Sequence, residues 1–86
     1  MVNRRLRLRA LLALLRRQAR QHGFRVEELP GRGKGSHRTY VLIDAEDTEA
    51  GRITLPDHRR ELSWTVLRST ETRLAPQLGD RWMEEK

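Results

Sequence analysis

His37 follows directly on a glycine-rich basic run, Gly31-Arg32-Gly33-Lys34-Gly35-Ser36, and opens a stretch with the alternation of a β-strand. An imidazole titrates near neutral pH, so it can take or give a proton under ordinary conditions. Arg32, Lys34 and Arg38 would supply cations to hold a phosphate and oppose the charge that develops on it. Gly33 and Gly35 have no Cβ, so the backbone N–H groups around them, with Ser36, can approach phosphate oxygens closely. RNA is the substrate such a set suits, because RNA carries its own nucleophile, the 2′-OH. A nuclease of this kind need only move protons and stabilise a phosphorane. One imidazole cannot be base and acid in the same step, which leaves the second role to water or to His58.

Each of these residues also has a duller role. The glycine run is not a P-loop, since it lacks GxxxxGK[ST] and the strand-to-helix setting, and a flexible hairpin turn would use the same residues. His58, two residues after Pro56, can simply orient the chain into the helix that follows. His22 stands where a histidine complements a helix dipole. The three histidines show no metal-ligand spacing, no carboxylate pair stands out and there is no cysteine, so no metal or other cofactor is expected.

The elements that must position His37 follow from periodicity. Leu8, Leu11, Leu12, Leu15 and Ala19 fall on one face of a helix predicted over residues 5–22, with Gly23 as its C-terminal stop. Phe24 and Val26 alternate with Arg25 and Glu27 in a first strand, residues 24–29, closed by Pro30. Residues 36–44 make a second strand, an acidic connection covers 44–51, and residues 52–56 make a third. A second helix starts at Ser63, a good N-cap, with Val66, Leu67 and Leu74 on its apolar side. Thr70 and Glu71 interrupt that side, Pro76 is predicted to interrupt the helix, and Trp82 either folds back or trails. The fold class is α+β, in the order α-β-β-β-α. A three-stranded antiparallel meander packs one face against both helices and leaves the other open. Tyr40 and Leu42 are assigned to the helix side, which puts His37 on the open face.

Composition narrows the partner. The chain has 86 residues, room for one domain with a modest core, and a formal net charge of +6. Residues 1–43 hold 11 basic and 2 acidic side chains, whereas residues 44–86 hold 7 basic and 10 acidic. Sixteen of the 18 cations are arginine, the better bidentate phosphate ligand. An anionic polymer, nucleic acid above all, is the expected partner. The Arg-rich start has an apolar run, Ala10 to Leu15, too short to span a membrane, and no small-residue cleavage site follows it. It is read as part of the domain, and the protein as cytoplasmic with no membrane partner.

Four short motifs then occur in sequence: Gly23-Phe24, Gly35-Ser36-His37 with Tyr40, Pro56 to His58, and Leu67-Arg68-Ser69. In this order they resemble the HicA toxins of bacterial HicAB toxin–antitoxin systems, over roughly residues 8–74 of a single domain, with 75–86 as an extension. The resemblance implies a fold similar to double-stranded-RNA-binding domains and an mRNA endonuclease whose catalytic histidine maps onto His37. It also implies a HicB-like antitoxin that covers the site. The chain departs from the family pattern in its longer connection from Tyr40 to Pro56, in Thr65-Val66 and Thr70-Glu71 on the second helix, and in the extension. The reading from another class is a module that binds RNA by shape and phosphates without cutting it. The two separate on His37, which only the enzyme requires.

Overall fold

The computed structural model describes residues 4–30, 37–57 and 60–84. The leucine stripe forms helix α1, Leu8–Gln21, and all five stripe residues are buried. Leu14 is buried as well, so the apolar side of α1 is wider than the sequence stripe. The helix stops where expected. Gly23 takes φ +83, its N–H donates to the Arg20 carbonyl at 3.2 Å and the Phe24 N–H to the Ala19 carbonyl at 2.8 Å. That pair of bonds satisfies carbonyls the helix would otherwise leave open, and glycine tolerates the left-handed backbone it needs.

Strands β1 (Arg25–Leu29), β2 (His37–Ile43) and β3 (Glu49–Pro56) form one antiparallel sheet in the order β1-β2-β3. Val26 lies opposite Leu42 and Glu28 opposite Tyr40; on the other side of β2, Tyr40 lies opposite Ile53 and His37 opposite Pro56. The third strand begins three residues earlier than its sequence pattern, so the acidic connection shrinks to a turn. The Asp44 carboxylate accepts the backbone N–H groups of Glu46 and Thr48, both at 2.9 Å, which folds the turn on itself. Asp47 takes φ 62 there. A register shift between Leu42 and Ile43 leaves Ala50 as an extra residue on β3.

Helix α2 runs Trp64–Leu78, and the Ser63 hydroxyl accepts the Val66 N–H at 3.2 Å as its N-cap. Pro76 does not end it. Proline has no N–H to give the preceding turn, yet Gly79 still donates to the Ala75 carbonyl at 2.8 Å and the helix closes past it. Thr70 is tolerated in the core because its hydroxyl donates to the Val66 carbonyl of its own helix at 2.8 Å, so that hydroxyl is not left unpaired. Beyond the helix the chain folds back: Trp82 and Met83 are buried. The Trp82 indole N–H donates to the Glu71 carbonyl at 2.9 Å and the Met83 N–H to the Glu71 carboxylate at 3.2 Å. Glu71, a poor core residue, is the anchor for this tail.

One hydrophobic cluster joins α1, α2, the tail, Leu62 and one face of the sheet through Tyr40, Leu42, Ile53 and Leu55. The molecule is only 17 Å through its shortest axis, the depth of one helical layer over one sheet. Among the described residues no helix is long and apolar enough to cross a membrane.

Candidate functional site

Side-chain alternation along β2 decides what can share a site. Tyr40 and Leu42 point into the helix-packed core, so Arg38 shares their side and His37, Thr39, Val41 and Ile43 take the other. His37 is exposed at the start of the central strand. Next on its face, the Thr39 hydroxyl shares a hydrogen bond with that of Thr54 across the β2–β3 pair at 3.0 Å. Val41 is only 2% exposed although it lies outside the helix-packed cluster. Its cross-strand neighbours are Glu27 and Arg52, long side chains whose stems cover apolar surface while their heads stay wet.

Each of those heads is paired with a residue of its own strand. Arg25 contacts Glu27 and Asp47, each at 2.6 Å. Arg52 reaches both carboxylate oxygens of Glu49, at 2.7 and 3.1 Å. The hydrogen bond from Arg52 holds the Glu49 carboxyl below the usual carboxylate range, and those from Arg25 to Glu27 and Asp47 raise its guanidinium further above its ordinary value.

Arg38 does not join His37. Its Nε donates to the Asp57 carboxylate at 2.7 Å, and its terminal nitrogen lies 3.5 Å from the Glu28 carboxylate. The bond to Asp57, then the charges of Asp57 and Glu28, raise its pKa. The guanidinium sits at the rim of a shallow hollow with Arg7, Leu12 and Tyr40, on the α1 side of the sheet. Burial, and after it the negative charge of Glu28, pushes the Tyr40 hydroxyl above its ordinary pKa. The strand's own alternation carried this signal: residues 37 and 38 cannot point to one face of a regular strand.

Arg32, Gly33, Lys34, Gly35 and Ser36 lie outside the described residues, as does His58. The chain enters β2 from that segment, so the two are continuous in sequence. Among the described residues no three His, Asp or Glu side chains come together as a metal-ligand group.

A second exposed region escaped the sequence reading. Trp64 is 42% exposed, a large apolar side chain left on the surface at the start of α2. With Arg68, Thr72 and Arg73 it lines an open depression along the outer side of the helix. The available signal was the position of Trp64 one residue past the N-cap, three residues before the buried Leu67 and off the stripe that continues to Leu74.

An α-β-β-β-α domain with both helices packed on one face of a three-stranded antiparallel sheet is the class that this geometry defines. Compared with protein-family models, with curated proteins and with solved structures, the chain gives no match. The likeness to HicA toxins is therefore carried by the short motifs alone.

Proposed function

We propose that this protein is a metal-independent endoribonuclease that cleaves mRNA as the toxin of a toxin–antitoxin pair, with His37 as its proton-transfer group. The observation that carries the reading is the placement of His37. It is exposed, it starts the central strand, and it lies on the sheet face opposite the helices, immediately after a segment with two cations and three glycines. The 2′-oxygen of RNA attacks the adjacent phosphorus, the P–O5′ bond breaks, and the imidazole takes the 2′-OH proton or gives one to the leaving 5′-oxygen. Lys34 and Arg32, rather than Arg38, are the cations assigned to the phosphate, since Arg38 is held by Asp57 and Glu28 on the far side of the strand. A HicB-like antitoxin would silence such an enzyme by covering this face.

The position of Arg38 also favours the second reading, a module that binds RNA and does not cut it, because it removes one cation from the neighbourhood of the histidine. The two are separated by incubating wild type and His37→Ala with end-labelled mRNA in EDTA and resolving the product ends. The enzyme reading expects cutting by wild type alone, with 2′,3′-cyclic phosphate and 5′-hydroxyl ends. Equal RNA binding by both proteins with no cutting by either would replace it with the binding module.

A further inference from the structure

The outer side of α2 leads to the open sheet face. The depression beside Trp64 and a second one, lined by Arg52, Thr54 and Thr70, share Ser69 and Arg73, so the two adjoin along α2 and are taken together as a trough. Thr54 is bonded to Thr39 on the open face, two residues from His37. The direction of α2 fixes where Trp64 lies relative to that histidine. Gln77 donates to the Ala50 carbonyl at 2.6 Å and Arg73 to the Arg52 carbonyl at 2.8 Å, so α2 runs antiparallel to β3. From Arg73 back to Trp64 the helix rises about 13 Å, and from Arg52 on to Pro56 the strand advances about 13 Å. Trp64 is thus level with Pro56, the cross-strand partner of His37. The exposed indole and the imidazole stand at the same end of the domain.

The chemistry of the trough specifies its occupant. Its unpaired cation is Arg68, which has no ion pair among the described residues. Arg73 is fixed by its Nε bond to the Arg52 carbonyl, which leaves its terminal nitrogens for other acceptors. Thr65, Ser69 and Thr72 add hydroxyl donors, and among the described residues no carboxylate lines the Trp64 depression. A ligand that matches must be anionic along its length and must also offer a flat π face to the indole. A single-stranded nucleic acid has both, phosphates at a regular spacing and unpaired bases free to stack. A duplex keeps its bases inside, and an acidic peptide offers charge without the flat faces.

We infer that single-stranded RNA binds along this trough, with one base stacked on Trp64 and flanking phosphates on Arg68 and Arg73, and that this directs the strand past His37. The inference rests on the ribonuclease reading and adds to it the strandedness of the substrate and the surface that holds it. Trp64 is a binding residue here and takes no part in the chemistry.

The test uses the full chain carrying His37→Ala, so that nothing is cut, and fluorescein-labelled 12-mer RNA followed by anisotropy. In that background Trp64→Ala is expected to weaken single-strand binding about 5- to 150-fold, the range for loss of one base–aromatic stack. Arg68→Gln is expected to flatten the dependence of log K on log salt by up to about one unit. Stacking should quench Trp64 emission while the buried Trp82 keeps its own, and far-UV circular dichroism checks that both variants are folded. Binding unchanged within twofold in Trp64→Ala, or a duplex of the same sequence held as tightly as the single strand, overturns the inference and leaves an RNA-binding reading standing. No RNA binding by the parent protein overturns both. Polyglutamate displacing the RNA through Trp64 would reassign the trough to an acidic protein partner.

Discussion

Leu55 and Thr54 are neighbours in the chain, yet they belong to different parts of the molecule. Leu55 is fully buried under the helices, in a cluster built from α1, α2 and the tail. Thr54 is exposed on the opposite face, where it bonds Thr39 and lines the trough toward Trp64. The covered face spends its residues on packing. The open face keeps His37 and Thr54 accessible, and its one deeply buried apolar side chain, Val41, lies between ionic neighbours rather than beneath a helix. Substitutions on the first face should therefore show in stability, and substitutions on the second in what the protein binds and does.

The largest effect expected on the covered side is at the tail. Trp82→Ala removes a buried indole and its bond to the Glu71 carbonyl, and should destabilise by roughly 3–5 kcal/mol. Urea unfolding would measure it; a change under 1 kcal/mol would mean that the tail is an appendage after all. Leu55→Ala should follow at about 2–5 kcal/mol, seen as a melting point lowered by roughly 10 °C or more in a chain of this size. Ser63→Ala loses the cap on Val66 and should reduce stability by about 1 kcal/mol. Thr54→Ala should fall at or below that, about 1 kcal/mol, since it strands only one hydroxyl partner. Equal losses for Thr54→Ala and Leu55→Ala would erase the distinction between the faces.

The last expectation concerns pH. Burial raises the Tyr40 pKa in the folded protein, so the folded state keeps its phenolic proton more tightly than the unfolded chain. Its contribution is complete below the unfolded value near 10 and declines as pH rises from there toward the folded pKa. Melting points taken between pH 8 and 11 should drop at the alkaline end, and less so in Tyr40→Phe.

Much of this layout was legible in the sequence. The leucine spacing of α1, Gly23 as its stop and Ser63 as a cap all rest on local geometry that a few residues determine. What escaped depended on contacts between distant segments. Leu14 reads as outside the α1 stripe, but in the fold it belongs to the common core. Pro76 reads as a break, but a missing N–H in the last turn is tolerated when the tail beyond it is anchored on Glu71. The longer β3 was hidden because Glu49, Ala50 and Gly51 have poor strand propensity and are held by the turn at Asp44 and by Gln77. At the site, alternation separated His37 from Tyr40 and Leu42, but both sets hold apolar residues, so which set met the helices was a choice that only the packed cluster decided. The same rule separated Arg38 from His37, and the Asp57 and Glu28 partners that hold Arg38 come from the two flanking strands or just beyond them.

The comparison of faces is tested most directly by NMR, with the His37→Ala protein titrated with a single-stranded RNA and the arginine Nε–H resonances followed. The account predicts that Arg68 and Arg73 on α2 shift, together with the Thr39 and Thr54 backbone signals, while the exposed Arg16 and Arg20 of α1 stay in place. Shifts confined to the α1 arginines would contradict it, and would move the functional surface from the α2 and β3 edge to α1.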